Sequence, residues 1–220
     1  MTMIPAERGV RMRLVAAARR LATAGSNAGT AGNLSARVEQ GYIITPSALP
    51  YDTMHPEDLV FMGFDWTHGG GQRTPSSEWR LHRDIYAKRP EVAAVVHAHS
   101  PYATTIACLR RGIPAFHYEV ALAGGADIRC GDYATFGTQA LSDAALRSLE
   151  GRRACLLANH GIVAIGPGVE EAVELAEKVE ALARMYWQAL QVGEPVLLDE
   201  VEMARVVDKY ATHGRKVPPG

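Results

Sequence analysis

Apolar residues Val10, Leu14, Ala17, Ala18 and Leu21 recur at helical spacing with arginines on the other face, which predicts a helix over 6–24 that ends at Gly25. A longer stripe, Ala172, Leu175, Ala176, Val179, Leu182, Ala183, Tyr186 and Leu190, predicts a helix over 169–190. Glu170 and Glu171 stand in its first turn, where the helix dipole favours acidic groups. Further helices are expected at 78–88, 101–111, 137–149 and 199–210. Short β-branched or apolar runs bounded by turn residues predict strands at 41–45, 59–63, 92–97, 154–157 and 161–165. The Gly-, Asn- and Thr-rich stretch 27–33 reads as a loop. Helices and strands mixed along one chain point to an α/β protein, a sheet covered by helices on both faces. Strand order and direction do not follow from the pattern.

The chain has 220 residues, which suits one large domain or two small ones, and 47% of them are apolar, enough for an ordinary core. Its 23 basic and 24 acidic side chains leave a net charge of −1. With no basic stripe, neither a nucleic-acid partner nor an anionic membrane is expected, and any bound anion must be held by a few placed groups. Cys108, Cys130 and Cys155 are scattered and odd in number, which argues against a disulfide framework and for a reducing compartment. No apolar run approaches the roughly 20 residues that span a bilayer, and the N-terminus lacks a signal-peptide pattern; a soluble cytoplasmic protein is expected.

Three histidines carry the candidate chemistry. In V-A-A-V-V-H-A-H-S, His97 and His99 are two apart and project to one side at the end of a buried strand. His160, in L-L-A-N-H-G, closes a second apolar strand, with Gly161 permitting a tight turn. Three imidazoles with an open fourth position suit catalytic zinc, although iron, cobalt or manganese fit the same donors. His55, His68, His82, His117 and His213 are assigned surface or supporting places. T-P-S-S-E-W-R offers Ser76 and Ser77 as N-caps of a helix starting at Glu78, a ready anion site. Thr30 and Asn33 in G-T-A-G-N-L-S and Ser47 in T-P-S-A add donors, so that a phosphate could be held without lysine. Glu78 beside it is either a helix-dipole partner, a metal ligand or a base.

H-A-H-S-P-Y, A-N-H-G, P-S-S-E-W-R, G-T-A-G-N-L-S, I-P-A-F-H-Y and Y-A-T-F-G-T together resemble the class II aldolase/adducin family over about residues 6–214, most closely its fuculose-phosphate type of aldolase. The resemblance implies a single domain over 1–220 with a C-terminal tail from about 199, folded as a three-layer α/β/α sandwich with a central mixed or antiparallel sheet. It implies Zn2+ on His97, His99 and His160, with Glu78 as a fourth ligand that substrate displaces and that then serves as the proton carrier. Phosphate would sit on Thr30, Asn33, Ser76, Ser77 and backbone N–H groups near Ser47 and Ala48. Phe136 and Tyr118 would line the aldehyde side. The implied assembly is a homotetramer with the site at a subunit interface. The implied reaction splits a ketose 1-phosphate into dihydroxyacetone phosphate and a short aldehyde.

Two departures fall on the aldehyde side. His213 stands where the family aldolase has a proton-donating tail tyrosine, with Tyr210 three residues earlier, and Glu119 follows Tyr118 where an apolar residue is expected. Within the family, a sugar-phosphate 4-epimerase would be expected to carry Asp in place of Glu78. A methylthioribulose-phosphate dehydratase would keep the histidines and a glutamate, and a non-catalytic adducin-like scaffold would lose the metal ligands.

Overall fold

The computed structural model describes residues 5–27, 29–65, 67 and 72–212. The N-terminal stripe forms α1 (Pro5–Thr23), and the long stripe forms α5 (Val169–Val192). Between them lie β1 (Asn33–Val38), β2 (Gly41–Ile44), β3 (Val60–Gly63), α2 (Trp79–Lys88), β4 (Ala94–Ala98), α3 (Pro101–Cys108), β5 (Cys130–Gly131), α4 (Gln139–Ser148), β6 (Ala154–Leu157) and β7 (Gly161–Gly166). A last helix, α6 (Glu200–Thr212), follows.

The strands make one sheet in the order β3-β2-β1-β4-β7-β6-β5. Every neighbouring pair is antiparallel except β5 with β6, so the sheet is mixed, as expected. Side chains alternate between its two faces. Leu34, Ala36, Val96, Leu156, Ile162 and Ala164 join α1, α3, α5 and α6 in one buried cluster. Tyr42, Ile44, Val95, Leu157, Val163 and Ile165 join α2 and α4 in another. Helices on both faces complete the three layers. Each fully buried Leu, Ile or Val contributes about 1.5–3 kcal/mol, so the apolar strands are held from both sides.

Several elements differ from the sequence reading for physical reasons. Residue 33 was expected to close a loop, yet β1 begins there. Its alternation of Asn33, Ser35 and Arg37 with Leu34, Ala36 and Val38 is regular, but Asn33 and Ser35 are buried under α2 instead of facing water. The helix expected at 101–111 ends at Cys108, because Arg110 takes a left-handed φ of 53°. The helix expected to start at 78 starts at Trp79. Glu78, not either serine, holds its N-cap position, while the Ser76 hydroxyl accepts the Glu78 N–H at 3.3 Å. The two-residue β5 and the 3₁₀ helix Tyr118–Ala123 are too short to show a period.

Candidate metal centre

β4 carries His97 on the α2 face and delivers His99 just beyond its end. Register sets His97 opposite Asn33 of β1 and Val163 of β7. His160 lies in the three-residue connection from β6 to β7, where Asn159 takes a left-handed φ of 53°. Gly161 therefore is not the turn-maker that the sequence suggested. A Cβ there would lie 2.3 Å from the Ala98 carbonyl oxygen, so glycine is what lets β7 approach β4. Gly32 (φ 74°) similarly lets its loop press on the His97 carbonyl and the Asn27 side chain. The Asn27 carboxamide oxygen in turn accepts the His99 N–H at 2.9 Å.

These elements bring Glu78, His97, His99 and His160 together, with one ligand atom of each within 4.8 Å of all the others. The three rings stand edge to face, with centroids 4.7–4.9 Å apart. Glu78 reaches His97 Nε2 at 3.1 Å and His160 Nε2 at 3.4 Å, and the His97 and His99 Nε2 atoms are 2.9 Å apart. His97 Nδ1 lies 2.8 Å from the Ile162 carbonyl. A carbonyl only accepts, so Nδ1 carries a proton, which leaves Nε2 facing the cluster to take a second proton or a cation.

Electrostatics follow from this crowding. Burial opposes charge on Glu78, but His97, His160 and the Asn33 amide outweigh it and hold the carboxyl well below the usual carboxylate range. Burial also opposes charge on His97, yet the Glu78 carboxylate and the Ile162 carbonyl raise its pKa. His99 and His160 are pushed down to about 4, mainly by burial and then by His97. Of the three imidazoles only His97 is thus shifted toward holding a proton, and a cation bound here would take that proton's place. Glu78 Oε1 is buried with no hydrogen-bond partner, an acceptor waiting for such a charge.

Above the cluster opens a cavity of about 320 Å³. It is lined by Thr30, Asn33, Ser47, Ala48, Ser76, Ser77, Glu78, His99, His160 and Phe136, and also by Tyr133 and Asn159, which the sequence reading did not single out. The loops at 45–48 and 74–77 are joined by Ser47 N–H to the Thr74 carbonyl (2.9 Å) and Ser76 N–H to the Thr45 carbonyl (3.2 Å). Ser47 therefore spends its own N–H inside the protein and has only its hydroxyl to offer. Asn33 is likewise engaged, its Nδ2 donating to Glu78 Oε2 at 2.9 Å and its Oδ1 facing His82 Nε2.

Tyr118 is outside this lining. It sits half-exposed on the 3₁₀ helix and stacks on Tyr210 of α6, with centroids 6.5 Å apart and planes within 7°. Glu119 is satisfied by Lys178 at 3.0 Å, which accounts for a charge where an apolar residue was expected. His213 and His68 lie outside the described residues. His82, assigned only a supporting place, is fully buried. The signal that marks it is the four-residue spacing of Glu78, His82 and Tyr86, which puts three polar groups on one side of α2. Among the described residues, no helix is long and apolar enough to cross a membrane.

Comparison with known proteins agrees with this geometry. A family model described as Class II Aldolase and Adducin N-terminal domain matches residues 12–187. The 5-methylthioribulose-1-phosphate/5-deoxyribulose-1-phosphate aldolase of Rhodospirillum rubrum is 54% identical over 203 residues, 91% of this chain and 90% of that one. The L-fuculose phosphate aldolase of Escherichia coli is 43% identical over 194 residues, 88% of this chain and 90% of that one. A solved structure of an L-fuculose 1-phosphate aldolase, 40% identical, superposes with a TM-score of 0.89 over 92% of this chain and 96% of the other. With the histidine–glutamate cluster in place and this match over most of its length, the chain belongs to the class II aldolase and adducin family, as a metal-dependent aldolase.

Proposed function

We propose that the protein reversibly cleaves a ketose 1-phosphate to dihydroxyacetone phosphate and a short aldehyde, with Zn2+ as its cofactor. The carrying observation is the placement of Glu78, His97, His99 and His160 within 4.8 Å of one another at the floor of a cavity rimmed by hydroxyl groups. Three imidazole nitrogens and one carboxylate oxygen form a donor set suited to catalytic zinc, and a buried Glu78 Oε1 that receives no hydrogen bond fits a cation. When bound, the ion supplies Lewis acidity that draws negative charge onto the substrate's oxygens.

The chain's own residues do the rest. Thr30, Ser76, Ser77 and the Ser47 hydroxyl, with the Ala48 backbone, receive the phosphate, and the remaining Asn33 N–H adds a donor. In cleavage, the hydroxyl on the aldehyde side loses a proton, and the carbon left on the phosphate-bearing half gains one. Glu78 moves the second proton. The first falls to Tyr118, Tyr210 or His213; neither tyrosine lines this cavity among the described residues. That separation supports a homotetramer in which a neighbouring subunit completes the aldehyde side. We also read residues 1–220 as one domain, working in the reducing cytoplasm that three unpaired cysteines suit.

The names of the relatives favour 5-deoxypentulose and 5-methylthiopentulose 1-phosphates first and L-fuculose 1-phosphate second. Glu78, where a 4-epimerase would carry Asp, supports cleavage over epimerisation. The test is coupled detection of dihydroxyacetone phosphate from 5-deoxyribulose 1-phosphate and L-fuculose 1-phosphate. Release is expected from both, faster from the first. An epimer or a dehydrated ketone without release would overturn the reading.

A further inference from the structure

Beneath Glu78 runs a buried chain of polar groups, of which the proposed chemistry uses only Asn33. Asn33 Nδ2 is 2.9 Å from Glu78 Oε2, and Asn33 Oδ1 is 2.5 Å from His82 Nε2. His82 Nδ1 is 2.6 Å from the Ser35 hydroxyl, which is 2.7 Å from the Tyr86 hydroxyl. Ser35 and His82 are fully buried, Tyr86 is 1% exposed and Asn33 3%.

Each proton in this chain has one consistent place. An ionised Glu78 only accepts, so Asn33 must turn its NH2 group toward it and its carbonyl oxygen toward His82. That oxygen also only accepts, so His82 must carry its proton on Nε2. Its bare Nδ1 then accepts from Ser35, and the Ser35 oxygen accepts from Tyr86. The other tautomer would turn the Asn33 oxygen onto the Glu78 carboxylate, acceptor against acceptor in a dry site, which is costly. Burial pushes the His82 pKa down to about 3, so it stays neutral at working pH.

We propose that His82 is a positioning residue: a fixed Nε2–H donor that locks the Asn33 carboxamide and, through it, aims Glu78 at the reacting carbon. This rests on the reading of Glu78 as the proton carrier. The helix and strand that bear the chain explain why it is rigid. Glu78 at the N-cap of α2 and His82 and Tyr86 within it recur every four residues, and Asn33 and Ser35 face them two apart on β1. Without the His82 donor, the Asn33 amide is free to rotate and Glu78 loses its fixed bearing.

The test reads the proton step alone. Metal-loaded protein is given dihydroxyacetone phosphate in D2O with no aldehyde, and carbon-bound deuterium is followed by NMR. Wild type, His82→Leu, His82→Gln and Glu78→Gln are compared at matched metal content and melting temperature. His82→Leu should exchange about 10–100-fold more slowly, the usual effect of removing a group that orients an active-site ligand. His82→Gln, which keeps a donor near the Nε2 position, should recover most of the rate. Independently of any variant, a long-range 1H–15N spectrum of the wild type should show His82 with hydrogen on Nε2 and none on Nδ1. An Nδ1–H tautomer, a wild-type rate in His82→Leu, or no rescue by Gln would overturn the proposal. A wild-type rate in Glu78→Gln would instead remove the reading beneath it. Loss in Glu78→Gln with a wild-type rate in His82→Leu would sink the positioning role alone.

Discussion

The two faces of the sheet follow the same two-residue alternation and end in different chemistry. On the α1, α3, α5 and α6 side, β1, β4, β6 and β7 present Leu34, Ala36, Val96, Leu156, Ile162 and Ala164, an apolar layer. On the α2 and α4 side, apolar Val95, Leu157 and Val163 give way at one end to Asn33, Ser35 and His97, met by Glu78, His82 and Tyr86 from α2. The first face is held by burial of apolar area, which is non-directional. The second is held at that end by a chain of directional hydrogen bonds from Glu78 through Asn33, His82 and Ser35 to Tyr86, where losing one partner is costly. Stability and function are thus separated across one sheet, and substitutions on the two faces should fail in different ways.

The sharpest contrast comes from the polar end. Glu78→Gln should cost about 10²–10⁴-fold in kcat, the usual contribution of a positioned acid or base, while metal content and melting temperature stay near wild type. Steady-state kinetics beside metal analysis checks this; near-full activity would erase the distinction between the faces. Next in size is the apolar face. Leu156→Ala removes a fully buried side chain and should cost about 2–5 kcal/mol in urea unfolding, with kcat per folded molecule unchanged. A smaller effect is the pH dependence of metal affinity. His97 has a raised pKa, so it holds a proton as pH falls, and a cation must displace that proton to bind. Affinity by titration calorimetry should weaken about tenfold per pH unit below that pKa. His99 and His160, held near about 4, add no further protons until that pH is approached. The smallest effect lies outside both faces. The exposed Arg20–Glu177 pair should contribute at most about 1 kcal/mol, so Arg20→Ala should barely move the melting temperature or the rate.

Much of the frame was legible in the sequence because its signals are periodic. The Ala172 to Leu190 stripe marked α5 within two residues of its end, and the spacing of His97 and His99 put them together because strand side chains alternate. The hydroxyl-bearing loops were legible from composition, and Thr30, Ser47, Ser76 and Ser77 do line one cavity. What was missed depends on partners distant in sequence. β1 was hidden because its polar side is buried, so its alternation marks no wet face. His82 was given a surface or supporting place, and only β1, by supplying Asn33 and Ser35, decides between the two. Gly161 looked like a turn residue until β4 came within 2.3 Å of the place its side chain would take. The spending of the Ser47 N–H on Thr74 could not be read from either loop by itself.

Glu78, His97, His99 and His160 are expected to hold one divalent cation without which no carbon–carbon bond is cut. The most direct test is release of dihydroxyacetone phosphate from 5-deoxyribulose 1-phosphate by protein stripped with a chelator and then titrated with Zn2+. The expected result is loss of release on stripping and recovery that saturates at one zinc per chain, with neither loss nor recovery of fold. Undiminished release by metal-free protein, or one zinc bound per chain with no cleavage of either ketose phosphate, would contradict it.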